Sequence, residues 1–333
     1  MVSSYPPRHC GIGAYARDQV SRLRAEGHDV TVLCPPDGDG DVRAPFEGGR
    51  AFLGAARIGR AFDRVLVHFQ PGLYYRPRAP LSKVATSAAL LWLVVRRPNA
   101  EVLVHEADDP VRWRPDYVLL RMAFHRARLL FHTEAERASL ERRYRVRVRA
   151  TLMEHRVSPV VGPVPSKPEA RALLEIGRAA EPVFVCAGFL QPSKGFDRAV
   201  RAFARAGGGS LFVVGSVREQ TPENLAHAEE LLTLCRETVG ATLVRRFLPD
   251  EEFDLWVLAA DRVVLPYRRS WSSGVLARAH ALGTPAIVSG AGGLAEQAGP
   301  GDTVVRSHRE LEAALRGLSA GRSARRTRAG AKG

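Results

Sequence analysis

The feature that most constrains this chain is an alternation. Short runs rich in Val, Leu and Phe, apolar at successive positions, are separated by longer stretches whose apolar residues recur every three or four positions. A strand that is apolar on both faces must be covered on both faces, and a parallel sheet flanked by helices does this. The strand segments are Asp29–Cys34, Arg64–Phe69, Glu101–His105, Leu129–His132, Ala150–Met153, Val183–Ala187, Leu211–Gly215, Thr242–Phe247, Val263–Pro266 and Ala286–Ser289. Helical spacing covers Ile12–Glu26, Ser82–Arg96, Glu134–Tyr144, Phe196–Ala206, Pro222–Thr238, Glu251–Ala260 and Ser273–Leu282. Strands alternating with helices in this way predict a doubly wound α/β architecture.

A chain of 333 residues exceeds one ordinary core, so two domains are expected. The break falls in the proline- and glycine-dense stretch Ser158–Pro168. The expected division is 1–160, 161–318 and a basic tail over 319–333 without apolar periodicity, read as disordered. Only Val2 remains of an apolar strand ahead of the first glycine loop. The reading therefore expects either a stub of a first strand or a start further upstream.

The formal net charge is +14. Such an excess suits nucleic acid, an anionic membrane surface or an anionic substrate. Because the arginines are spread along the chain, a solvated surface accounts for them equally well, and no nucleic-acid partner is expected. The four cysteines are isolated, without a C-x-x-C pair, which argues against a bound metal and for a reducing, cytoplasmic setting. The longest apolar run, Val84–Val95, is shorter than the roughly 20 residues a spanning helix needs. It reads as a buried helix, with an interfacial one as the alternative, so peripheral contact with the membrane inner face stays open.

Two segments carry the chemistry. Cys186–Asp197 reads CAGFLQPSKGFD, and Arg262–Glu296 contains YRRSWSSGVLARAHALGTPAIVSGAGGLAE. Each passes from an apolar strand through a small-residue loop into an amphipathic helix, the arrangement in which main-chain amides and a helix N-terminus face an anion. Lys194 and the turn Ser272-Ser273-Gly274 are expected to converge on one phosphate-bearing ligand, Lys194 acting as a point charge. Ser273 is also a good helix N-cap. Gly11-Ile12-Gly13-Ala14-Tyr15-Ala16 matches a dinucleotide fingerprint, but Tyr5–Cys10, with two prolines, separates it from any strand. That spacing argues against a nicotinamide or flavin site and for a loop that closes over a diphosphate. His105 ends a strand beside Glu106, Asp108 and Asp109 and is a candidate for hydrogen bonding or proton handling. No second histidine stands at ligand spacing on that loop, which weighs against a metal. His68, His132 and His155 also sit at strand ends.

These segments, taken in order, resemble the retaining glycosyltransferases of family 4 over nearly the whole chain. Pro6–Tyr15 resembles the family's glycine loop, and His105 its sugar-contacting histidine. CAGFLQPSKGFD resembles G-R-L-x-x-x-K-G-x-D, SSGVLARAHALGTPAIVS the donor-domain helix and strand, and GGLAE the G-G-x-x-E that ends at Glu296. The resemblance implies a GT-B fold: two Rossmann-like domains with parallel sheets, facing across a cleft. It implies His105 and Lys194 as catalytic residues. The donor would be held by Gly11, Gly13, Gly188, Lys194, Ser272, Ser273, Gly274, Arg278 and Glu296. It implies no metal and no cofactor, with a nucleoside-diphosphate sugar of UDP or GDP type as substrate. The hydroxyl acceptor would be a small molecule, a polysaccharide intermediate or a lipid.

The sequence departs from that family in its E-x7-E motif. Those positions are Ser270 and Arg278 here, and an arginine donates where the second glutamate accepts ribose hydroxyls. Phe189 stands where the family has an arginine near Lys194, leaving Arg268 or Arg269 as a substitute. The expected function is hexose transfer to a hydroxyl with retained configuration. A catalytically inactive binding or partner protein is the alternative, and a nucleotide-sugar epimerase a more remote one.

Overall fold

A computed structural model of the chain describes residues 1–330 except 9, 76–78, 158–162, 178, 219 and 270, with side chains through 319. It divides into two compact units, Met1–Ser158 and Pro159–Gly333.

The N-terminal unit runs α1 (Gly11–Ala25), β1 (Leu33–Cys34), β2 (Val42–Arg43), α2 (Arg50–Ile58), β3 (Val65–Phe69), α3 (Pro71–Tyr74), α4 (Pro80–Arg96), β4 (Ala100–Val104), α5 (Pro115–Arg126), β5 (Arg128–Phe131), α6 (Glu134–Tyr144) and β6 (Arg149–Leu152). Strands β3, β4, β5 and β6 pair in that order, all parallel. Val2 forms single bridges to Leu33 and Val67. It therefore joins the β1-β2 pair to β3. The segment expected as Asp29–Cys34 shrinks to Leu33–Cys34 beside this single-residue bridge. Helices α2 and α5 were not read from the sequence; in α2 the internal Gly54 weakens the pattern.

The C-terminal unit runs α7 (Lys167–Leu173), β7 (Val183–Ala187), α8 (Phe196–Ala206), β8 (Ser210–Gly215), α9 (Pro222–Glu237), β9 (Ala241–Arg245), α10 (Asp250–Ala259), β10 (Arg262–Leu265), α11 (Gly274–Ala281), β11 (Ala286–Ser289), α12 (Leu294–Gln297), β12 (Thr303–Val305) and α13 (His308–Gly330). Its sheet has the order β12-β11-β10-β7-β8-β9, parallel throughout. Every residue of β7, β8 and β11 is buried, as the unbroken apolar runs require. The proline that made Ser158–Pro168 read as linker partly opens a helix instead: Pro168 lies in the first turn of α7, behind a Ser166–Glu169 capping box. The helix α13 also runs on through residues assigned from sequence to an unstructured tail. Alanine and arginine, which dominate there, rank among the strongest helix formers.

Candidate active site

In the C-terminal sheet, β7 and β10 are neighbours, yet the chain winds outward from them in opposite directions, to β8 and β9 on one side and β11 and β12 on the other. Ligands of open α/β sheets bind outside the carboxyl ends of strands at such a reversal. The two loops singled out from sequence leave from these two strands.

After β7 the chain passes Gly188 and makes a 3₁₀ turn, Pro192–Lys194. Gly195 closes the turn with φ 64°, and a Cβ there would stand 2.3 Å from the carbonyl oxygen of Pro266. Only glycine lets this loop lie against the end of β10. The Arg268 amide donates to Ser193 O at 2.8 Å, and its guanidinium donates to Pro192 O at 2.9 Å and to both carboxylate oxygens of Asp197 at 2.6 Å. Burial pushes the Asp197 pKa up most strongly of any single cause, but the hydrogen bonds and charge of Arg268, with the charge of His227 and a backbone hydrogen bond, together hold the carboxyl below its ordinary value. Arg268, a candidate substitute for the missing cation, is thus spent on tying the two loops together. The Lys194 ammonium lies 4.0 Å from the ring centroid of Tyr267, just beyond β10, a cation–π contact. Tyr267 is fully buried, and its hydroxyl has no hydrogen-bond partner among the described residues.

Ser273 caps α11, its hydroxyl accepting from the Leu276 amide at 3.3 Å. The Ser273 amide donates to Oε1 of Gln297 at 2.7 Å. This corrects the expectation of a cradle made by all the Ser272–Gly274 amides, because Gln297 already satisfies one. The amides of Gly274 and Val275, in the first turn, have no intrahelical acceptor. Gly188 is close to this turn: a Cβ on it would meet Val275 Cγ2 at 3.9 Å. Glu296 is exposed in α12, beside Gln297.

Arg278 is placed differently from the sequence reading. Its guanidinium grips Asp254 of α10 in a two-pronged ion pair, Nε to Oδ1 at 2.5 Å and Nη2 to Oδ2. Asp254 is only 6% exposed and needs a cation within reach. Ser270, the other E-x7-E position, lies outside the described residues. Near Phe189, a guanidinium does arrive from another strand: Arg218, beyond β8, stands 5.7 Å from the Phe189 ring centroid. Sequence reasoning missed Tyr267, Gln297 and Arg218, each from a strand or helix end remote from the motif it serves.

In the N-terminal unit, Gly11 begins α1 and is exposed, with nothing near an added Cβ. Gly13 packs tightly, its added Cβ meeting Ser4 Oγ and Tyr5 N at 3.4 Å. One turn on, the Tyr15 ring gathers four histidines: His68 (5.6 Å between centroids), His105 (5.5 Å), His132 (5.5 Å) and His155 (4.8 Å). They come from the carboxyl ends of β3, β4, β5 and β6, which parallel pairing sets side by side. His68 Nε2 meets Gln19 Oε1 at 2.8 Å and His132 Nδ1 meets Met153 O at 3.1 Å. Among the described residues, the Tyr15 hydroxyl and His68 Nδ1, His105 Nε2, His132 Nε2 and His155 Nδ1 have no hydrogen-bond partner. Burial keeps all four imidazoles neutral, lowering His68 and His155 to about 3 and His132 to about 4, and His105 well below its ordinary value. It pushes Tyr15 up to about 12.

The carboxylates after His105 are occupied elsewhere. Asp108 accepts from Tyr144 Oη at 2.7 Å and Tyr75 Oη at 3.3 Å and pairs with Lys83. Asp109 pairs with Arg143 at 2.9 Å, and Glu106 accepts from Gln70 Nε2 at 3.1 Å. They brace this loop against α3, α4 and α6 rather than serving His105.

Residues 181–320 match the family model described as glycosyl transferases group 1. No curated protein matches the chain by sequence. Among solved structures, sucrose-phosphate synthase from Thermosynechococcus elongatus aligns with TM-score 0.68 and 18% identity, over 96% of this chain and 88% of that one. WaaG, a glycosyltransferase involved in lipopolysaccharide biosynthesis, aligns with TM-score 0.61 and 19% identity, over 96% and 90%. HepE from Anabaena, in complex with UDP and glucose, aligns with TM-score 0.60 and 14% identity, over 89% and 78%. The chain thus has the GT-B fold of two Rossmann-like units, and the greater part of its second unit matches the group 1 glycosyl transferases.

Proposed function

We propose that this protein transfers a hexose from a nucleoside-diphosphate sugar to an acceptor hydroxyl, with retention of configuration and without a metal. The donor is assigned to the carboxyl ends of β7 and β10, and the acceptor to the N-terminal unit. The observation that carries the reading is the locked pair of loops: Gly195 against Pro266 and Arg268 across Pro192, Ser193 and Asp197, with Lys194 and the first amides of α11 at the point where the sheet reverses. Glycosyl transfer needs positive potential where charge grows on the leaving diphosphate. A preorganised ammonium and two amides supply it with little reorganisation, each donor contributing on the order of 3 kcal/mol. HepE, similar in fold, is described in complexes with UDP and with UDP-glucose, which favours a uridine donor here.

In this reading Arg218, over Phe189, supplies the second cation, and His105 contacts the sugar as a neutral group. The acceptor proton passes to the leaving phosphate, so no protein nucleophile is required. The test is turnover with UDP-, GDP- and TDP-hexoses. Lys194→Ala should lower kcat by well over tenfold with the fold intact; an unchanged rate on a verified donor refutes the site.

A second reading, an inactive binding protein, is favoured by one observation: at the E-x7-E position the Arg278 guanidinium is held by Asp254. Calorimetric titration with the same three donors separates the readings. Binding and turnover support the transferase, binding without turnover in the presence of acceptors the inactive protein.

A further inference from the structure

Helix α4 contains no charged residue between Lys83 and Arg96. A helix so apolar is normally buried on all sides; the sequence suggests a buried helix, with an interfacial one as the alternative. The structure buries only one side. Leu81, Ala85, Ala88, Trp92 and Val95 are exposed, and their spacing of three and four residues sets them on one continuous stripe. Trp92 is 46% exposed and Leu81 83%. Helix α5 packs beside α4 and leaves Val118 and Met122 exposed. Trp113, immediately before α5, is 86% exposed. A contiguous apolar face of this kind on a described surface marks a contact.

The charges around it indicate which contact. Residues 80–100 and 111–128 hold eight basic side chains and a single acid, Asp116. Asp116 is 1% exposed and held by Arg114 and Lys83. No exposed carboxylate therefore belongs to either helix. Arg96 stacks over Trp92, its guanidinium 4.1 Å from the ring centroid. Arg112, Arg121 and Arg126 are exposed, and among the described residues they make no ion pair. Tryptophan with unpaired arginines around an apolar stripe is the composition of a helix that lies in a membrane interface, the rings at headgroup level and the guanidinium groups on anionic phosphates. None of the helices searched is long and apolar enough to cross a membrane.

We propose that the α4–α5 face docks this protein on an anionic phospholipid bilayer, α4 lying in the interface plane with Trp92 and Trp113 inserted. The inference is independent of the reaction proposed above, and its test reads partition rather than turnover. The full chain is sedimented with vesicles of phosphatidylcholine alone and of phosphatidylcholine with roughly one-third phosphatidylglycerol. Three changes are compared: Trp92→Ser with Trp113→Ser, Arg112→Gln with Arg121→Gln and Arg126→Gln, and an exposed control, Arg201→Gln on α8. All lie on the surface, so unchanged circular dichroism is expected.

Partition onto the anionic vesicles, a blue shift of tryptophan emission on binding, and loss of binding at high salt are expected. The tryptophan pair should lower the partition coefficient at least tenfold, and each removed arginine about fivefold. The control should leave it unchanged. No partition of the parent protein, or partition insensitive to the tryptophan pair, overturns the proposal. So does a parent that sediments as a dimer and becomes monomeric in the tryptophan pair without binding vesicles, because the face then joins two copies of this chain.

Discussion

Acidification should destabilise the N-terminal unit before the carboxylates titrate, because of the histidine layer around Tyr15. His68 is fully buried and protonates in the fold only near about 3, against about 6.5 in the unfolded chain. Between those values the unfolded chain binds a proton that the folded chain does not. Stability is therefore complete above about pH 6.5 and falls as the pH drops towards 3. At about pH 5 the difference is RT ln(1 + 10^1.5), or about 2 kcal/mol for His68 alone. His105, His132 and His155 are shifted the same way and add to the loss. A domain holds only about 5–15 kcal/mol in all. With an m-value near 2 kcal/mol per M, the urea midpoint should fall by at least about 1 M between neutral pH and about pH 5. The assay is urea unfolding of the full chain, with amide hydrogen exchange of β3–β6 peptides reporting this unit and β7–β11 peptides as reference. His68→Gln should remove about 2 kcal/mol of that pH dependence, although it lowers stability at neutral pH. A flat midpoint in the parent protein, or an unchanged slope in His68→Gln, refutes the claim that these imidazoles are held neutral by burial.

Three further outcomes concern the C-terminal unit. Gly195→Ala should cost more than about 2 kcal/mol, through the positive φ and the approach to Pro266 O; a thermal midpoint within a degree of the parent contradicts it. Lys194→Met, which keeps packing on Tyr267 but removes charge, should weaken UDP binding by calorimetry while leaving the midpoint nearly unmoved. Arg278→Ala should destabilise by about 3 kcal/mol by stranding Asp254, with most of it recovered in the Arg278→Leu, Asp254→Leu double variant. Equal losses in the single and double variants would show that the pair is not the source.

The parallel α/β plan was legible because it follows from local rules. Apolar runs such as Val183–Ala187 fold as read because neither face of a doubly covered strand tolerates polarity. Glu134–Tyr144 folds as read because the Thr133–Glu136 capping box is local, and Phe196–Ala206 because its apolar residues recur on one face. Ser273 as N-cap and Gly195 at a left-handed turn were likewise written locally. What pairs across elements was not. Arg278 looked like a ligand-facing residue until Asp254, 24 positions earlier, took its guanidinium. The apolar run Val84–Val95 reads as a buried helix, and only its packing against α2 and α5 shows which of its residues are covered. Histidines at strand ends were visible one by one, but nothing between positions 15 and 155 announces that a single tyrosine collects them. Local sequence sets backbone conformation through sterics and periodicity; which side chains share a desolvated space is set by sheet order, and that exists only once the chain has closed on itself.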